Sequence, residues 1–313
     1  MKNKEFKVYG LSFILALVIY GGITFLTQSG VINYYISGLI VMACINIVLA
    51  TSLNLASGYL GQLTLGHAGF MSVGAYVSAI LSMNFNMPFI VSLLVGALVA
   101  AIIGLIIGIP VLRLKGDYLC IITLAFNEII RVIMLNLEIT RGAKGLMGIP
   151  MNTTFTVGFL SACLTIYVIY SIVKSRHGRA FISIREDETA SELAGIPVAK
   201  YKIMAFAISA FFAGLGGGLY AHYMGMLVPK TFDYNKSVEI LVMVVLGGLG
   251  NLKGSVIAAI IMTFLPEILR DLGDYRMLIY AVVLIAAMII KETNVGNKLK
   301  GIFVKKSKKE VSQ

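Results

Sequence analysis

Residues 88–112 read PFIVSLLVGALVAAIIGLIIGIPVL, a run without a single Asp, Glu, Lys or Arg. A helix advances about 1.5 Å per residue, so this run can cross the ~30 Å hydrocarbon core of a bilayer. The surrounding composition agrees: 58% of residues are hydrophobic, 13% are charged, and the mean hydropathy is +0.89. Soluble domains carry about 25% charged residues. The stretch therefore predicts an all-α, polytopic integral membrane bundle.

The same reasoning predicts further helices at roughly 8–26, 33–55, 67–84, 117–137, 155–174, 200–220, 236–249, 254–270 and 276–291. No soluble domain fits between them, so residues 1–313 read as one membrane domain. The first run follows Lys2, Lys4 and Lys7. It is long for a signal-peptide core and lacks a cleavage site, so it is expected to remain as a helix. Ten crossings return the chain to its starting side. With the N-terminus inside, 19 Lys and Arg fall in cytoplasmic segments, including the basic tail 292–313, and six in outer loops, Lys236 among them. That is the positive-inside bias, with both termini in the cytoplasm. It accounts for the formal charge of +11 without a nucleic-acid partner. The segment 236–249 is short for a full crossing and fits a half-helix, so the count is eight to ten spans, some broken or re-entrant. Cys44, Cys120 and Cys163 lie inside apolar runs without C-x-x-C spacing and read as small buried hydrophobes. No metal or cofactor site is expected.

One polar island interrupts this apolar chain: KSRHGRAFISIREDETASELAGIPVAKYK, residues 174–202. The topology puts it in the cytoplasm. Ser183 and Glu186 have capping-box spacing, and Glu186, Asp187 and Glu188 suit the first turn of a helix dipole. Gly195 and Pro197 would stop the helix. The expected element is Ile184–Ala194, either a solvated connector or a docking helix for a soluble partner. The dipeptide Gly-Lys occurs nowhere, so there is no P-loop. If transport is ATP-driven, another chain hydrolyses the ATP.

Within the predicted spans, Glu128 and Arg131 stand one turn apart beside Asn127. Ionisable groups at such depth pair with each other or line a pathway. Asn46, Asn54 and His67 carry the same two readings, interhelical bonding or solute contact. Gly96, Ala100, Gly104 and Gly108 form one small-residue face, and Ala210, Gly214 and Gly218 another, as close helix packing requires. A short echo links Gly58-Tyr-Leu-Gly61-Gln62-Leu63 with Gly247-Gly-Leu-Gly250-Asn251-Leu252. Both segments follow an inward span and precede an outward one, and repeated breaks of this kind are a mark of transporters.

These residues resemble a known family. Gly58-Tyr-Leu-Gly61-Gln-Leu-Thr64-Leu-Gly-His67-Ala-Gly-Phe70, Arg113-Leu-Lys-Gly116-Asp-Tyr118, Gly178-Arg179-Ala180, Ile184-Arg185-Glu186-Asp187-Glu188, Ala194-Gly195-Ile196 and Leu246-Gly-Gly-Leu-Gly250 are similar to the M-type permease of branched-chain amino-acid ABC importers. The resemblance implies a prokaryotic plasma-membrane protein paired with a second related permease. It further implies two cytoplasmic ATP-binding subunits and an external solute-binding protein. In that arrangement 175–199 is the coupling segment, with Arg179, Arg185, Glu186, Asp187, Glu188 and Gly195 as its core. Asn46, Asn54, His67, Asn127, Glu128 and Arg131 are then candidates for the translocation path. Arg141 and Lys144 make an outer loop more basic than is usual in the family, and Thr64, Thr189 and Ser191 are further departures. Alternative readings are an importer of urea or an amide, and an ion-coupled carrier using Glu128 as its proton site.

Overall fold

The computed structural model describes residues 17–269, except 28, 31, 32, 112, 113 and 115, together with positions 282 and 285. Apart from those two positions, the expected helix 276–291, the tail and the first half of the segment 8–26 therefore lie outside the described residues. The membrane helices are α1 (Leu17–Thr27), α2 (Tyr34–Asn54), α3 (His67–Asn84), α4 (Phe89–Val111), α5 (Asp117–Asn136), α6 (Phe155–Lys174) and α9 (Val198–Met224), with α10 (Tyr234–Gly247) and α11 (Leu252–Ile268) closing the bundle. Between α6 and α9 the island forms α7 (Arg176–Glu186) and α8 (Glu188–Leu193). Five of the described helices are long and apolar enough to cross a membrane. The chain is a multi-pass helical membrane protein.

Small residues decide how the centre packs. A Cβ on Gly74 of α3 would stand 2.2 Å from Gly214 O of α9, and one on Gly214 would meet Ala100 of α4 at 2.5 Å. Gly104 faces Ala210 equally closely. The two small faces seen in the sequence therefore pack against each other. Without a Cβ between them, α3, α4 and α9 approach to backbone contact, where dispersion drives association in lipid. Leu49, Leu53, Met71, Phe181 and Leu219 fill the core around this contact and are less than 2% exposed. On the outer side, β1 (Leu146–Met147) pairs antiparallel with β2 (Met226–Leu227) and pins the loop before α6 to the end of α9.

After β2 the chain turns back into the bundle. Pro229–Phe232 form a single 3₁₀ turn whose Phe232 is 1% exposed, between the rings of Tyr76 and Tyr220. Phe232 O accepts from Asn127 Nδ2, halfway along α5. α10 thus begins at mid-depth, and its 14 residues span about 21 Å. The short segment is a half-helix. Lys236, counted above with an outer loop, lies instead in the first turn of α10, because the turn 229–232 carries it inward.

Candidate functional site

The island folds as two helices. Ser175 Oγ accepts from His177 N and caps α7, which buries Gly178, Ala180, Phe181 and Ile184. Asp187 then takes an extended backbone, and its carboxylate accepts from Ala190 N at 2.9 Å. This corrects the expectation of one helix, Ile184–Ala194, capped by Ser183. Asp is as good a cap as Ser, and here the extended backbone at Asp187 lets its carboxylate take the N-cap bond, so the chain restarts there. Ser183 lies inside α7, and its hydroxyl meets that of Ser191 at 2.7 Å, bracing the bend. Gly195, at φ +82°, ends α8 as anticipated, with its N–H on Glu192 O.

The island's charges turn two ways. Lys202 Nζ, on a side chain only 4% exposed, binds Glu188 Oε2 at 2.9 Å and ties α8 to α9. Arg185 pairs with Glu186 and also donates from Nη1 to Gly58 O at 3.1 Å. Gly58 belongs to a wide helical turn, Leu55–Tyr59, that ends the span begun by α2. Arg179 remains exposed, and Leu193 at the outer end of α8 is 86% exposed, flanked by exposed Ala190, Ala194 and Gly195.

At Gly58 the two echoing segments cross. A Cβ on Gly58 would lie 2.3 Å from Gly250 N, and one on Gly250 would lie 2.8 Å from Arg185 Nη1. Gly61 and Gly250 occupy equivalent places in the echo and share nearly the same left-handed backbone, φ +79° and +77°. Only glycine enters that region without penalty. Asn54 closes the crossing: its Oδ1 accepts from Gly250 N and its Nδ2 donates to Ser255 Oγ, both at 2.9 Å. Tyr59 OH accepts from Leu252 N. Beside this point, a cavity of about 260 Å³ is bounded by Gln62, Asp117, Glu186, Glu188 and Lys202, among others.

The other path candidates are scattered. Asn46 Nδ2 donates to Thr263 Oγ1 at 2.9 Å, joining α2 to α11, and His67 Nε2 meets Ser52 Oγ at 2.8 Å, joining α3 to α2. Glu128 and Arg131 pair at 2.7 Å, each side chain about one-third exposed.

Residues 35–290 match the profile of the family described as "Branched-chain amino acid transport system / permease component". The chain belongs to this family. It is 33% identical to the high-affinity branched-chain amino acid transport system permease protein LivM of Salmonella typhimurium, over 79% of this chain and 67% of that protein. The same figures hold for LivM of Escherichia coli. The ribose import permease protein RbsC of Haemophilus influenzae is 26% identical over 50% of this chain and 49% of its own. No solved structure matches.

As a permease component the chain is a non-enzymatic membrane subunit of an ABC transporter, which works with ATP-hydrolysing and substrate-binding partners. Within this permease, sequence reasoning overlooked Lys202, Tyr59 and the cap at Asp187. Lys202 carried a weak signal, a cation at the start of a span and 14 residues from Glu188. Nothing in the sequence foretold that Arg185 reaches Gly58.

Proposed function

We propose that this permease forms half of the import path for branched-chain amino acids in a prokaryotic plasma membrane, paired with a second, related permease. Two cytoplasmic ATPase subunits and an external binding protein complete the assembly. Support for the substrate comes from the two LivM proteins, which match over most of this chain. One observation supports docking of the ATPase on segment 175–199. The island ends in an apolar corner, Leu193 with Ala190 and Ala194, directed away from the bundle, and its charged residues hold it to the membrane helices behind. A large aliphatic side chain exposed on a polar, cytoplasmic element is a ready anchor for a groove on a partner.

Arg185, Glu186, Asp187, Glu188 and Gly195 then shape and brace the island, and Arg179 extends its exposed surface. Movement of the ATPase pair would reach the membrane through Arg185 at the glycine crossing. The ribose permeases among the relatives favour a second reading, import of a small polar solute. Solute binding by the cognate external protein separates the two. The docking reading is tested by Leu193→Asp. The variant should keep its melting temperature and membrane insertion and lose co-purification of the ATPase. Undiminished co-purification would sink it.

A further inference from the structure

The half-helix α10 holds charge where the membrane core should hold none. Its depth follows from three contacts. Phe232 O accepts from Asn127 Nδ2 at the middle of α5, and the Phe232 ring lies 6.0 Å from that of Tyr76 at the middle of α3. Further along, Ser237 Oγ accepts from Ala68 N at the start of α3. The cap and first two turns of α10, around these fixed points, carry Asp233, Asn235, Lys236 and Glu239. Glu239 is 40% exposed, Lys236 is 14% exposed, and Asn235 is exposed. Ionisable groups at this depth are costly against acyl chains, so they face protein or a water-filled space.

These groups already hold partners, and one set is an ion pair without net charge. Lys236 Nζ binds Glu239 Oε2 at 3.0 Å, Asn235 Nδ2 donates to Asp233 Oδ2 at 2.8 Å, and Asp233 Oδ1 caps α10. On α5, the Arg131–Glu128 pair follows directly on Asn127, the residue that holds Phe232. Two further acceptors in this seam, Glu128 Oε1 and Asn127 Oδ1, are buried without a hydrogen-bond partner among the described residues, and Asn127 is fully buried.

We propose that the first two turns of α10, with the neighbouring face of α5, are a binding position for a zwitterionic solute. Its ammonium would be taken by Glu239 and the free acceptors of Asn127 and Glu128, and its carboxylate by Lys236 and Arg131. A zwitterion can replace both members of an ion pair at once, so it enters without adding net charge to the membrane. A sugar offers no such exchange. The inference deepens the importer reading and rests on it for the direction of transport. The binding position itself is testable separately.

The test uses the complete importer in proteoliposomes, with Cys44, Cys120 and Cys163 replaced by Ala. Asn235→Cys should react with a charged, membrane-impermeant thiosulfonate, and L-leucine should slow that reaction about tenfold, whereas 4-methyl-2-pentanol should not. Lys236→Met and Glu239→Gln should each raise the KM for leucine about 10- to 100-fold, with kcat changed less. Absence of labelling at position 235 while a Lys144→Cys control in the exposed outer loop reacts would overturn the proposal. So would labelling without protection by leucine, or an unchanged KM in both variants. Failure of the importer reading looks different: position 235 is labelled and leucine protects it, yet adding ATP drives no uptake by the unsubstituted protein.

Discussion

Replacing Gly58 by Ala isolates the glycine crossing. Ordinarily the change would favour a helical turn by about 1 kcal/mol. Here the added carbon would fall 1.8 Å from Asn54 Oδ1 and 2.3 Å from Gly250 N. The amide side chain can rotate away, but then Gly250 N and Ser255 Oγ lose the bonds that Asn54 supplies. An orphaned buried group costs about 1–3 kcal/mol. The backbone nitrogen cannot rotate away, and overpacking of this kind costs about 1–3 kcal/mol more. After the helical gain, the net loss is about 3 kcal/mol. At about 2–4 °C per kcal/mol for a chain of this order of size, the detergent-solubilised protein should melt roughly 6–12 °C lower. Gly21→Ala is the control. Gly21 lies in α1 with nothing within 4 Å of the added carbon, so its melting point should hold or rise by a few degrees. A Gly58→Ala protein as stable as the control would refute the close crossing.

Glu188→Gln should leave the Lys202 ammonium buried without its counter-ion, at a cost of about 3 kcal/mol, and adding Lys202→Met should restore most of the melting temperature. Equal stability of the single and double variants would show the pair to be idle. Gly195→Ala places a side chain in the left-handed region at φ +82° with no clash, a strain of about 1–2 kcal/mol confined to the end of α8. Proteolysis within the island should quicken about 5- to 30-fold, and less for Gly195→Asn; unchanged cleavage would contradict the strained cap.

Helix positions were legible because long apolar runs here are bounded by Gly, Pro and charge. The third helix was expected at 67–84 and runs His67–Asn84, and the run quoted at 88–112 forms Phe89–Val111. The depth of α10 was only half legible. Its short length marked a half-helix, but Lys236 looks like a loop residue until Phe232 is seen buried against Asn127. The island misled for a local reason. Its sequence holds two competing caps, and spacing favoured Ser183, but the Ser183 hydroxyl bonds to Ser191 and the cap falls to Asp187. Asn46, Asn54 and His67 bond between helices, which a polar residue in an apolar span does by default. The echo in sequence was visible, but not that its two copies touch, because a contact across nearly 200 positions leaves no trace in either segment alone.

That contact has a mechanical meaning. The spans of α2 and α10 run down to the crossing, α3 and α11 run up from it, and Arg185 grips the place where they meet. The arrangement is a single pivot under four membrane helices. Through Arg185, α7 touches both echoed segments where they meet, and neither of them alone.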